Sequence, residues 1–292
     1  MNIKGLGVAM VTPFDKKRMI DHEKIPLIVD NIVSGSADYI VVLGTTGETS
    51  LLSNVEKKFL IKSIIEANES RLPMVVGIGG NNTDLVIREI KTTDLKNFSA
   101  ILSVSPYYVK PTQKGIIKHY SKISKESPLP IILYNVPSRT GSMIEKETFL
   151  EIINQNDNII GIKEASGNFS FAQDLINSIP DNIKVICGDD KYTLPMILSG
   201  ASGSISVIAN AFPKKISKMI SLANSENVKK AYDIHLELLD LVNYLFLEGN
   251  PTGIKELMSQ LSFCSNTVRL PLLSASNELS IKISKKLREI LQ

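Results

Sequence analysis

The sequence predicts an α/β protein of the parallel (β/α)8 (TIM) barrel class with a C-terminal helical extension. Three observations carry that reading. Eight short, apolar, β-branched runs alternate with amphipathic helical patterns between Gly7 and Val207. None of the eight is joined to the next by a tight hairpin, which favours parallel pairing through helical crossovers. After about Ala223 the strand-like runs stop and helical periodicity continues alone. Residues 1–223 are therefore assigned to the barrel and residues 224–292 to a helical region.

Taken in order, the expected strands are Gly7–Val11, Tyr39–Leu43, Met74–Ile78, Ala100–Val104, Ile131–Tyr134, Ile159–Lys163, Lys184–Cys187 and Ser204–Val207. Between the first two, Asp21 can cap a helix on which Ile25, Leu27 or Ile28, and Ile32 recur at helical spacing. Ser53-Asn54-Val55-Glu56 reads as a capping box, because the serine and the glutamate can each satisfy the other's backbone amide. Thr112 follows Pro111 and can open the next helix, and Glu145 begins an acidic first turn further on. Asn227–Leu247, Gly253–Gln260 and Glu278–Leu291 are the expected tail helices, separated by turns at Gly249-Asn250-Pro251 and around Pro271. A doubly wound sheet is the competing architecture. Its dinucleotide fingerprint fails, because Gly77-Ile78-Gly79-Gly80-Asn81-Asn82 ends in Asn82 where a glycine belongs, and neither a P-loop nor a Gly-x-Ser-x-Gly elbow occurs.

Composition narrows the function classes. The 292 residues carry 33 basic and 30 acidic side chains, so the net charge of +3 supplies no field to recruit nucleic acid or a membrane surface. Cys187 and Cys264 lie far apart, which suits a reducing compartment and gives neither a disulfide framework nor a zinc site. His22, His119 and His235 lack ligand spacing and are assigned to helix packing or the surface. With no basic-then-apolar leader and no long apolar run, the expectation is a soluble, cytoplasmic protein.

The chemistry is expected where barrels keep it, at the C-terminal ends of strands. Strand six ends Asn158-Ile159-Ile160-Gly161-Ile162-Lys163-Glu164. Strict alternation puts Ile159, Gly161 and Lys163 on one face, with Gly161 leaving room for a substrate or for the lysine stem. Burial there disfavours an ammonium, and a neutral amine is a nucleophile towards carbonyls. The alternative is a lysine that snorkels out of a strand end into water. Other strand ends supply Thr45 and Thr46 in Gly44–Glu48, Tyr107 and Tyr108, Tyr134, Arg139, and Ile205 between Ser204 and Ser206. Each has a plainer reading, such as a turn threonine, a core tyrosine or a solvated arginine. Together they suit an anionic carbonyl substrate, with a guanidinium for a carboxylate and a phenol to move protons. No carboxylate cluster suited to a metal accompanies them.

Gly44-Thr45-Thr46-Gly47-Glu48, Tyr134-Asn135-Val136-Pro137-Ser138-Arg139-Thr140-Gly141 and Gly161-Ile162-Lys163-Glu164-Ala165-Ser166-Gly167 resemble the motifs of the dihydrodipicolinate synthase family. The first and third mark the wider superfamily of pyruvate-dependent lyases, whereas the strand-five arginine is more specific. The resemblance covers nearly the whole chain. It implies a Schiff base between Lys163 and pyruvate, with no other cofactor and no metal, and condensation with L-aspartate 4-semialdehyde on the route to diaminopimelate and lysine. By the same resemblance Thr46 holds the pyruvate carboxylate, Arg139 takes the carboxylate of the semialdehyde, and the Ile205 carbonyl lines the pyruvate pocket. Tyr134 would relay protons through Thr45 to Tyr108 of a neighbouring subunit, in a homotetramer built as a dimer of dimers. The rivals are a sister aldolase acting on a sugar acid, such as acetylneuraminate or a keto-deoxy acid, and a non-catalytic barrel that binds a keto acid.

Lysine-sensitive members of the family bind their effector near the helix after Gly-Thr-Thr-Gly-Glu. At positions that are acidic or histidine in those members this sequence has Leu85, Lys57 and Asn54, while Asn81 and Tyr107 match and Asp84 stands one residue away. Burying an unpaired ammonium is costly, so weak or absent inhibition by L-lysine is expected.

Overall fold

The computed structural model describes residues 3–292. Its strands are β1 (Gly5–Ala9), β2 (Tyr39–Val42), β3 (Met74–Gly77), β4 (Ala100–Val104), β5 (Ile131–Asn135), β6 (Ile159–Glu164), β7 (Lys184–Cys187) and β8 (Gly203–Ser206). They close into a barrel in sequence order. The registered neighbours run parallel, among them β1 with β2, β4 with β5, and β5 with β6. All eight expected strands are present, shifted by no more than two residues. Their sequences are apolar almost throughout because a parallel sheet covered by helices is buried on both faces; Val75, Val76, Ile101, Ile132, Leu133 and Ile162 are fully enclosed.

The chain divides into two compact units. One is built on Pro73–Ile205 and carries β3 to β7 with most of β8. The other joins Gly5–Leu72 to Ser206–Gln292. In this second unit the helix Pro213–Asn224 packs on β1, Val228–Leu247 packs on that helix, and the C-terminal helices Thr252–Gln260 and Asn277–Leu291 pack in turn on Val228–Leu247.

Local signals explain most helix starts. The Ser53 hydroxyl accepts from the Glu56 amide at 3.2 Å, and a Glu56 carboxylate oxygen accepts from the Ser53 amide at 2.8 Å, which completes the capping box on helix Asn54–Asn68. Thr112 caps helix Gln113–Glu126 by accepting from the Gly115 amide. Asp21 does not cap the first helix. That helix begins at Lys24, with Glu23 in the cap position and no side-chain cap. Pro26 is its third residue and has no amide to offer an acceptor. Asp21 instead offers its backbone carbonyl to the Lys24 amide at 3.2 Å. Glu145 likewise occupies a cap position without a cap hydrogen bond, and Glu147 supplies the acid in the first turn. Among the described residues, no helix is long and apolar enough to cross a membrane.

Candidate active site

In the unit built on Pro73–Ile205, the backbone ladder sets the site. Tyr134 of β5 is in register with Lys163 of β6, and Lys163 with Ile186 of β7. This register brings the Lys163 Nζ to 4.4 Å from the centre of the Tyr134 ring. Both side chains are buried, Lys163 at 5% and Tyr134 at 7% exposure. An amine with so little water around it, held against a phenol, is placed for nucleophilic and proton-transfer chemistry rather than for solvent. Of the two readings left open by the sequence, the snorkelling lysine is the one the structure does not support.

The alternation argument for Gly161 needs correction. Ile131 pairs with Ile159, but Ile132 pairs with Gly161, so Ile160 forms a β-bulge that breaks the two-residue period. A Cβ on Gly161 would lie 2.4 Å from the Lys184 carbonyl oxygen. The glycine therefore admits the neighbouring strand's backbone, not substrate or the lysine stem. That stem is accommodated by Gly188, just past β7. A Cβ there would meet Lys163 Cε at 2.7 Å, Ala165 Cβ at 2.8 Å and Lys163 Cγ at 2.9 Å. Gly188 is absent from the expected site; Cys187-Gly188-Asp189 carries no spacing cue, and only the β6–β7 register discloses it.

Glu164 is a second addition. Its buried carboxylate accepts from Asn135 Nδ2 at 2.6 Å and from the Ser166 amide at 2.6 Å. Asn135 Oδ1 in turn accepts from the Ile144 amide at 3.0 Å. Burial raises the Glu164 pKa above the ordinary carboxylate value, against the pull of these hydrogen bonds. The group ties together the segments that follow β5 and β6. Arg139 lies exposed on the short helix Pro137–Thr140. The Tyr108 loop is joined to that helix by the Tyr108 amide, which donates to the Thr140 carbonyl at 3.3 Å. Tyr108 is 88% exposed and has a left-handed backbone, φ 72°. Ile205 is buried within β8.

The other unit carries the turn after β2. Leu43 (φ 57°) and Glu48 (φ 53°) both adopt left-handed backbone and bracket Gly44-Thr45-Thr46-Gly47. Thr46 is buried and Thr45 half-buried. Asn250 Nδ2 donates to Thr46 Oγ1 at 3.0 Å, and Thr12 Oγ1 donates to the Gly47 carbonyl at 2.7 Å. The Glu48 carboxylate, 2% exposed, accepts from Lys255 Nζ at 2.5 Å and from the Arg269 amide at 2.9 Å. Lys255 also donates to the Thr267 carbonyl at 3.0 Å and lies 4.0 Å from the centre of the Phe14 ring. Burial pulls the Lys255 pKa down and the facing Glu48 opposes that pull. Sequence reading placed neither Asn250 nor Lys255 in the site. Of the groups considered for an effector, Leu85 is exposed and Asp84 is paired with Lys122 at 2.5 Å. Among the described residues, no group of three His, Cys, Asp or Glu side chains is disposed to hold a metal ion.

Barrel and buried amine together define the framework of a lysine-based (β/α)8 enzyme. The chain belongs to the Dihydrodipicolinate synthetase family, whose model matches residues 2–290. It is 48% identical to a 4-hydroxy-tetrahydrodipicolinate synthase of Flavobacterium psychrophilum, over 96% of this chain and 95% of that one. A protein of the same name from Porphyromonas gingivalis is 44% identical, over 99% and 98% of the two chains. Among solved structures, the chloride-inhibited dihydrodipicolinate synthase of Acinetobacter baumannii in complex with pyruvate superposes with a TM-score of 0.95 and 34% identity, each chain covered to 99%. The Cyanidioschyzon merolae enzyme with lysine bound gives 0.94 at 29% identity.

Proposed function

We propose that the protein is a 4-hydroxy-tetrahydrodipicolinate synthase, a lyase of lysine and diaminopimelate biosynthesis that condenses pyruvate with L-aspartate 4-semialdehyde. The observation that carries the mechanism is the buried Lys163 amine 4.4 Å above the Tyr134 ring at two paired strand ends. Lys163 Nζ adds to the keto carbon of pyruvate, and loss of water leaves an iminium. The iminium draws electrons from the methyl group, which loses a proton to give the enamine. The enamine carbon attacks the aldehyde of the semialdehyde, whose oxygen takes up a proton. The substrate's own amine then displaces Lys163 by transimination, closing the ring and freeing the lysine without any change of oxidation state.

Tyr134, whose ring centre lies 4.4 Å from the amine, moves protons in these steps, through Thr45 to the partner subunit's Tyr108. Its neighbourhood to Lys163 supports the first role; the exposure of Tyr108 on a single chain supports the second, in a homotetramer built as a dimer of dimers. Thr46 binds the pyruvate carboxylate, the Ile205 carbonyl lines the pyruvate pocket, and Arg139 binds the carboxylate of the semialdehyde. Borohydride added with pyruvate should fix one reduced pyruvate on the chain, mapped by peptide mass to Lys163. A label on another lysine, or turnover of acetylneuraminate in preference to the semialdehyde, would overturn this reading.

A further inference from the structure

We propose that Glu48 and Lys255 form a buried positioning pair that fixes the turn after β2 in its substrate-binding shape, with Asn250 setting the direction of the Thr46 hydroxyl. The proposal rests on the reading that Thr46 receives the pyruvate carboxylate.

Two independent observations converge on this pair. The first is backbone strain. Leu43 and Glu48 enclose the turn in left-handed conformations, φ 57° and 53°, that side chains with a Cβ seldom adopt and that persist only where surrounding contacts enforce them. The second is the set of contacts that do so. Glu48 is held by the Lys255 ammonium and by the Arg269 amide, and Lys255 is fully enclosed between that carboxylate, the Thr267 carbonyl and the Phe14 ring. The Arg269 guanidinium secures the next segment through the Leu51 carbonyl and the Glu56 carboxylate. A buried ion pair adds little net stability compared with apolar packing, so its presence under a strained turn points to geometry as its use.

Asn250 adds a directional element. Its Nδ2 donates to Thr46 Oγ1, so the hydroxyl hydrogen of Thr46 is left to point elsewhere, which is what a donor to a carboxylate requires. Neither Glu48 nor Lys255 is assigned contact with substrate; both act through Thr46.

The test compares Glu48→Gln, Lys255→Met, the double variant and Glu48→Gly by pyruvate KM, kcat, borohydride trapping and thermal unfolding. Lys255→Met strands a buried carboxylate and is expected to unfold at lower temperature, so the double variant, which strands no charge, decides the question. It should fold with a near-normal midpoint while its pyruvate KM rises about 10-fold or more, the size of one lost charge-assisted hydrogen bond. Semialdehyde KM should change less than 2-fold, on the order expected for a site left unaltered. Glu48→Gly relieves the strain but strands the buried Lys255 ammonium, so it should unfold at lower temperature and, in its folded fraction, show the same KM rise. An unchanged pyruvate KM in the folded double variant would make the pair a stability element only and overturn the proposal. Failure of wild-type protein to be trapped on Lys163 would instead overturn the functional reading on which it rests.

Discussion

The two sets of candidate residues, one in each compact unit, are held in different ways. Around Lys163 the backbone does the positioning. β5, β6 and β7 are hydrogen-bonded in fixed register, so Tyr134, Lys163 and the approach to Gly188 follow from strand pairing. Around Thr46 the backbone is a strained turn, and long-range side-chain contacts hold it. Asn250 and Thr46 are 204 residues apart in sequence, Lys255 and Glu48 are 207, and Arg269 and Glu48 are 221. The difference teaches where each set is vulnerable. A ladder absorbs the loss of one side chain, while a buried pair that loses one partner leaves an uncompensated charge, at a cost of roughly 3–5 kcal/mol.

The comparison predicts failures of different kinds. The largest effect falls on chemistry in the ladder-held set. Tyr134→Phe keeps the ring beside Lys163 but removes its proton, and the rate should fall by roughly 10²–10⁴-fold with little change in thermal midpoint. Steady-state kinetics beside calorimetry check this. A loss explained by unfolding would mean that the tyrosine's role is packing.

Next comes Gly188→Ala. The added Cβ enters the space of the Lys163 stem, 2.7 Å from Cε, and the lysine must move. A displacement of this kind costs on the order of 10²-fold in rate. Slowed borohydride trapping of pyruvate is the expected signature. Trapping at the wild-type rate would show that the stem has another path and would return Gly188 to the role of a simple turn residue.

The smallest effect sharpens the picture of the side-chain-held set. The Arg269 hydrogen bond, aided by those from Ser53 and opposed by burial, holds the Glu56 carboxyl well below its ordinary value of 4.5, at about 2. The folded state therefore binds this proton less readily than the unfolded state. The resulting stabilisation is complete above the unfolded value and is lost as pH falls towards 2. Glu56→Gln keeps an acceptor for the Ser53 amide but cannot titrate. Its unfolding midpoint should fall less steeply than wild type between pH 4.5 and 2. Parallel acid titrations of the two proteins followed by circular dichroism would check this, and identical slopes would count against the Arg269 contact.

Much of this protein was determined by its sequence alone, for a physical reason. Strand and helix type depend on local periodicity and capping, so all eight strands and the Ser53 and Thr112 caps could be read directly. The family motifs are also contiguous runs, which is why Lys163, Tyr134 and the turn at Thr45-Thr46 could be chosen as site residues. Tertiary structure decided whatever depends on register or on distant partners. The bulge at Ile160 takes Ile159 out of the alternation that sequence reading assumes is unbroken, and the Lys184 carbonyl on the neighbouring strand changed the meaning of Gly161. Gly188 gained its role from the strand beside it, since packing space for the lysine stem is set by which strands are neighbours. Lys255 and Asn250 reach the Thr46 turn from more than 200 residues away. Neither periodicity nor spacing encodes such a contact; it exists only once the chain has closed.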